Sequence, residues 1–414
     1  MRSSPWTTTR VFAVMIVAAM FLPPAAWAAN KYKVLHNFGP YSEGSDGSMP
    51  SGPLTLDGQG NLYGETLVGG TGECGGYGCG VVFELTPGPN GQWSEQILYD
   101  FPGGTGAAFP SGGLVIDGSG NLYGTVGGEP DGTGGVFELT PGSGGWALSI
   151  LYDNSTVHGL LLDNAGNLYG EMGLGEYKEG AIGELSPGSN GWVYTVLYSF
   201  CGQHHGGICD DGNDPLAPPI WGGNNLYGTT YYGGVGHGAG YGVVYGMTPN
   251  GDGTWTYQVL HHFGSFHGDG QYPDGGLAVD ASGTLYGATV GGGTHGNGRV
   301  FKLAGSQWKE TSLYDFPSCA NGCAPIGTMA LDKAGNLYGV TAAGGSPDCQ
   351  GGCGVVFELS PQRNGTWKYG VLHKFDGTDG NGPLDVILDG KGNLFGVTES
   401  GGTNNGGVAF EITP

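Results

Sequence analysis

Short apolar runs of alternating character recur along the whole chain, each ended by Asp, Asn, Gly or Pro. In the first unit, Leu54-Thr55-Leu56 stops at Asp57 and is followed by Gly58-Gln59-Gly60 and then Asn61-Leu62-Tyr63-Gly64. Asp and Asn hydrogen-bond their local backbone in turns and Gly60 tolerates a positive φ, so this stretch predicts strand, tight turn, strand. A glycine-rich loop leads to a third strand at Gly80-Val81-Val82-Phe83-Glu84-Leu85. After the turn at Thr86 to Gly91, a fourth runs from Trp93 to Phe101. We name the four a to d.

The tetrapeptide Asn61 to Gly64 returns whole or with one change at Asn121 to Gly124, Asn167 to Gly170, Asn225 to Gly228, Thr284 to Gly287, Asn336 to Gly339 and Asn393 to Gly396. Its tyrosines, with Phe395 as the seventh, are 60, 46, 58, 59, 52 and 57 residues apart. A repeat of this length marks an array of similar units, so the 414 residues are read as one body. Seven four-stranded antiparallel meanders predict an all-β, seven-bladed β-propeller; a right-handed solenoid is the alternative. Two features favour the ring. The seventh unit stops after strand c, at Phe410 to Pro414, while Lys31 to Phe38 matches the d-strand pattern of Trp367 to Phe375. An N-terminal strand completing the last blade would pair the open edges that a solenoid must cap.

Composition sharpens this picture. The chain holds 91 glycines and 24 prolines, a content typical of low complexity when it lacks a period; here the glycines fall at fixed places and read as turns. Residues 1–28 have the form of a secretory signal. Arg2 and Arg10 come first, then the apolar stretch Val11 to Leu22, then Ala26-Trp27-Ala28 as the cleavage site, so the mature chain would be a single domain over 29–414. The apolar stretch is too short to span a bilayer, and no later run is long enough, so no transmembrane segment is expected in the mature chain. The formal charge of −23, made more negative by loss of the two arginines, disfavours nucleic acid and anionic membranes. An extracellular glycan or protein partner, or a cation, stays open.

Eight cysteines form four close pairs: Cys74 with Cys79, Cys201 with Cys209, Cys319 with Cys323, and Cys349 with Cys353. In an exported chain four local disulfides are the simplest reading, with a zinc site as competitor because two pairs have C-x3-C spacing.

Units of the form L-x-x-D-x-x-G-N-L-Y-G, then paired glycines, then G-V-V-F-E-L-T-P, resemble the bacterial GloVer tandem repeat over essentially the whole mature chain. The resemblance implies an exported protein, often with a C-terminal sorting anchor, and no particular activity. Here the chain stops at Pro414 inside the last unit, so no anchor is expected. The strand-turn-strand piece is also similar, more weakly, to NHL and gluconolactonase-type propellers, some of which bind calcium and hydrolyse lactones.

In such a meander the a–b and c–d turns share one face and the b–c and d–a loops the other. The second set is longer, carries all eight cysteines, and is where binding residues are expected. Two constellations lie there. The motif D-G-x-x-P precedes strand a at Asp46, Asp211, Asp269 and Asp379, with Asn321 as an amide variant. Four carboxylates around the channel mouth would suit Ca2+; the simpler reading is an Asx-turn whose proline sets the start of the strand. Gly106 and the short loop from Asp153 to Val157 interrupt the ring. The second constellation is His204, His205, His237, His267 and His295, with Asp210, Tyr231, Tyr232 and Tyr272 near them in sequence. Imidazoles and carboxylates could hold a transition metal or move protons, and tyrosines could stack on sugars. No diagnostic ligand spacing is present.

His36, His261, His262 and His373 fall in d strands, where packing or hydrogen bonding is expected. The tryptophans Trp93, Trp146, Trp192, Trp255, Trp308 and Trp367 open successive d strands, again a packing pattern. No G-x-S-x-G elbow or P-loop occurs. The primary expectation is therefore a non-catalytic binding scaffold using the long-loop face. A metal-dependent hydrolase or lyase acting on sugars or lactones is the alternative, and a structural surface component the third reading.

Overall fold

Each copy of the tetrapeptide opens the second strand of a four-stranded antiparallel sheet in the computed structural model, which describes residues 30–41, 46–103, 107–128, 134–153, 157–235 and 240–414. Residues 1–28, which the sequence reads as a secretory signal, lie outside these residues, as do Ala29, Gly106 and His237. Seven such sheets form a seven-bladed β-propeller, and the described residues contain no α-helix. In blade 1, strand a is split into Gly47–Pro50 and Thr55–Leu56; b is Leu62–Gly69, c is Val81–Pro87 and d is Trp93–Asp100. Blade 7 takes a, b and c from Asn381–Leu388, Leu394–Ser400 and Val408–Thr413, and d from Lys31–Asn37. Lys31 pairs with Thr413 and Asn37 with Val408, so both ends of the described chain meet in one sheet.

The a–b turn explains why the repeat keeps its residues. Asp57 Oδ1 accepts the N–H groups of Gln59 and Asn61, both at 2.8 Å, and its Oδ2 accepts Asn61 Nδ2 at 2.9 Å. The Tyr63 hydroxyl lies within hydrogen-bond distance of Asp57 Oδ2 and Glu84 Oε1, at 3.2 and 3.0 Å. The same contacts recur around Asp117 and Asp163. One carboxylate thus satisfies the turn amides that would otherwise be left open.

Phenylalanine ends most d strands and is fully buried at Phe38, Phe101, Phe200, Phe263 and Phe375. Its N–H donates to a glycine just before strand c, as from Phe101 to Gly80 at 3.1 Å and from Phe38 to Gly407 at 3.0 Å. Blades meet through the other conserved positions of the repeat. Trp192 of blade 3 packs edge-on against Tyr123 of blade 2, and Trp367 of blade 6 does the same to Tyr286 of blade 5. The core is consequently a ring of clusters lying between blades.

Candidate functional site

The proline segment before strand a, D-G-x-x-P in four blades, staples its blade to the one before it. The residue preceding the proline has positive φ, 58° at Met49 and 61° at Tyr272, and its N–H points back to the previous blade. Met49 donates to Gly406 O at 2.8 Å, Phe109 to Cys79 O at 2.8 Å, Tyr272 to Tyr241 O at 2.8 Å and Ala324 to Asn297 O at 2.9 Å. The proline then covers the glycine before strand c: a Cβ on Gly80 would lie 2.5 Å from Pro110 Cδ, and Gly80 itself has φ of 91°. Only glycine accepts both conditions.

The motif's carboxylates sit at four separate seams. Asp46 Oδ2 accepts from His36 Nε2 at 3.3 Å, and Asp379 Oδ2 from His373 Nε2 at 2.8 Å. The buried Asp211 accepts from the Tyr198 hydroxyl at 2.5 Å and Cys201 N at 3.0 Å. The buried Asp269 accepts from Ser265 N at 3.1 Å and its own neighbour Gly270 N at 2.8 Å. Among the described residues, one group alone brings three His, Cys, Asp or Glu ligand atoms within 4.8 Å of each other: His36, Asp46 and Glu95.

A second rule governs these seams. In strand d, the residue two before the terminal Phe meets, across the seam, the residue six before the Phe of the next blade. Usually the latter is tyrosine. Tyr257 stacks on Tyr198 with centroids 3.8 Å apart, Tyr369 on Tyr314 at 4.2 Å and Tyr32 on His373 at 3.8 Å. Each hydroxyl donates to the carbonyl of the motif's first residue: Tyr257 to Asp211, Tyr369 to Asn321, Tyr32 to Asp379. At two seams glutamate replaces this tyrosine: Glu95 faces His36, and Glu310 lies beside His261 and Asp269. The second is neutralised by the buried Arg299, whose Nη1 is 3.1 Å from Glu310 and 3.8 Å from Asp269, with Nε 2.7 Å from Asp315. Burial alone would raise the Asp315 carboxyl, but hydrogen bonds from Arg299, Thr294 and Ser312 bring it down to about 2. Burial pushes Glu95 up to about 7, against the pull of His36.

All eight cysteines are paired as the four local disulfides, Cys74–Cys79, Cys201–Cys209, Cys319–Cys323 and Cys349–Cys353. The zinc alternative for them is thereby removed. Cys79 and Cys353 are buried and offer their carbonyls to the staple bonds from Phe109 and Gly382, so two bridges brace the seams directly.

The described members of the histidine constellation do not gather. His204 and His205 are exposed on a small hairpin closed by Cys201–Cys209, and His205 Nδ1 hydrogen-bonds Asp210. His267 lines a cavity of about 460 Å3 between loops of blades 4 and 5, with Tyr241, Phe266, Asp269, Gln271 and Thr294. His295 is exposed beside Thr294. The tyrosines, in contrast, come together. Tyr231 lies 4.7 Å from Tyr232 and 5.2 Å from Tyr272, Tyr232 lies 5.7 Å from Tyr272, and Tyr241 joins them 5.3 Å from Tyr272. Tyr232 is 43% exposed, so the cluster presents aromatic surface on the long-loop face. On the opposite face a bowl of about 730 Å3 is lined by Leu114, Leu161, Asp117 and Asp163. Both of its carboxylates are engaged by the amides of their own turns.

Sequence reasoning passed over several residues. Tyr241, Glu95 and Arg299 carry no local signal beyond replacing a repeat consensus. His158, on blade 3 strand a (Val157–Leu162), hydrogen-bonds through Nδ1 to Glu171 on strand b (Leu168–Met172). The Glu171 hydrogen bond raises the imidazole, while burial raises Glu171. Its signal was the missing proline of blade 3, since a glutamate after Asn-Leu-Tyr-Gly also occurs in blade 1, at Glu65.

The family model described as the Gloeobacter/Verrucomicrobia repeat matches residues 25–240 and 222–414. The chain belongs to this family, the one its repeats resemble. Among solved structures, a PQQ-bound aldose sugar dehydrogenase from Streptomyces coelicolor is 14% identical, with 94% of this chain and 100% of that chain covered and a TM-score of 0.44. A putative 6-phosphogluconolactonase from Bacteroides uniformis is 12% identical over 76% and 82% of the two chains, with a TM-score of 0.48. The propeller domain of the Trilobed protease from Pyrococcus furiosus is 8% identical over 88% and 95%, also at 0.48. No curated protein matches the chain in sequence.

Proposed function

We propose that the chain is an exported, non-catalytic binding protein that takes a neutral glycan on the long-loop face between blades 4 and 5. The observation that carries this reading is the contact cluster of Tyr231, Tyr232, Tyr241 and Tyr272 beside the cavity holding His267. Tyrosines held by their neighbours offer flat apolar surface at small entropic cost, with hydroxyls left for sugar hydroxyls. The acidic charge speaks against polyanionic ligands. Four disulfides and the leader-like first residues support export. A glycan array followed by calorimetry tests it: Tyr232→Ala and Tyr272→Ala should each weaken binding by about tenfold. An array without hits, or binding indifferent to both changes, overturns it.

A second reading, hydrolysis of sugars or lactones, is favoured by His158 and Glu171. A buried carboxylate on Nδ1 fixes the imidazole tautomer and leaves Nε2 for proton transfer. Turnover of a sugar lactone by the native protein, lost in His158→Ala while glycan binding persists, would establish it. Absence of turnover in the native protein retires it.

A further inference from the structure

The two glutamate seams are built alike but neutralised differently. Glu310 and Asp269 have Arg299 between them, from the first residue of blade 5 strand c (Arg299–Ala304). In blade 1 the residue at that place is Val81, paired with Asp100 as Arg299 is paired with Asp315. Glu95 and Asp46 therefore face each other with no guanidinium, and the basic group between them is the His36 imidazole, 3.3 Å from Asp46 Oδ2 and 3.7 Å from Glu95 Oε2. Their other oxygens, Asp46 Oδ1 and Glu95 Oε1, are both buried with no donor from the rest of the protein, and the two carboxyls lie within hydrogen-bonding reach of each other. An unpartnered buried carboxylate oxygen is costly, and two at one place need an explanation.

We propose that His36, Asp46 and Glu95 form a binding site for a divalent transition metal, with Zn2+ the best match, at the seam where the N-terminal strand closes the ring. One imidazole nitrogen and two carboxylate oxygens within 4.8 Å of one another are a three-ligand set of the kind Zn2+ accepts, with water as the fourth ligand. Ca2+ is the poorer match, because it takes six to eight oxygens and avoids imidazole. Side chains 20%, 30% and 15% exposed, for His36, Asp46 and Glu95, leave access for the ion and for that water. The cation would stand where Arg299 stands at the other seam. Because its ligands come from strand d of blade 7, the following connection and strand d of blade 1, binding would tie the closing strand to the ring.

The test uses the full mature chain, treated with chelator and dialysed. Equilibrium dialysis should find one Zn2+ per chain at micromolar concentration, and the melting temperature should rise with Zn2+ and remain unchanged with Ca2+. His36→Ala should lose both effects. As this change could also weaken the seam, Glu95→Tyr serves as the second variant. It installs the tyrosine that Tyr257 and Tyr369 provide elsewhere, so it should fold and melt near the metal-free parent while binding no Zn2+ at this stoichiometry. Zn2+ uptake that survives Glu95→Tyr would belong to other histidines and overturn the assignment. Failure of the parent to bind Zn2+ would also overturn it, pointing to a proton shared by the two carboxylates. A response to Ca2+ in place of Zn2+ would contradict the ligand set.

Discussion

Phe38 N donates to Gly407 O at 3.0 Å, the bond that Phe101 makes to Gly80 at 3.1 Å inside a blade of continuous sequence. The ring is thus closed by the repeat's own rule, applied between opposite ends of the described chain. Phe38→Ala should destabilise the protein by about 3–5 kcal/mol, the cost of emptying a fully buried phenylalanine site. Phe101→Ala should cost a similar amount. Denaturant titration of both checks this; a silent Phe38→Ala would mean that the closing strand adds nothing to the fold.

Arg299 offers a second measurement. Replacing it with valine, the residue at positions 81, 243 and 355, strands Glu310 and Asp269 and should cost roughly 3–5 kcal/mol. Adding Glu310→Tyr should restore most of that loss by recreating the stacked seam of Tyr257 on Tyr198. A double variant no better than the single would contradict the seam rule.

The buried acids set the response to pH. Glu65 accepts Gly113 N at 2.7 Å, its other oxygen has no partner, and burial pushes its carboxyl up to about 8. Burial likewise lifts Asp385 to about 7. A raised acid holds its proton more tightly in the folded state. The stability this contributes is complete below the ordinary carboxylate range and falls away as pH climbs towards 8, by ~1.4 kcal/mol per pH unit and group at most. Melting temperatures should drop between pH 5 and 9, and Glu65→Gln should flatten the drop. A slope of opposite sign, or one unchanged in Glu65→Gln, would refute this origin.

Intact mass of the native protein should show eight hydrogens fewer than the reduced chain. Each bridge closes a loop of only 4 to 8 residues in sequence separation, so reduction should cost about 2 kcal/mol per bridge in the chain-entropy model. Full labelling of thiols in the unreduced protein would contradict the pairing.

The blade count, the four-strand unit, the ring closure and the cysteine pairs were legible in the sequence, because each depends on contacts short in sequence or repeated in register. Asp57, Asn61 and Tyr63 declare their turn within seven residues. The seams were not legible. Whether Asp46 joins a calcium collar or pairs with His36 and Glu95, and whether Tyr241 meets Tyr272, depend on how neighbouring blades rotate against each other, which no single repeat encodes. The described loop histidines stand apart for the same reason: nearness in sequence places residues on one face, but only packing between blades brings side chains into contact.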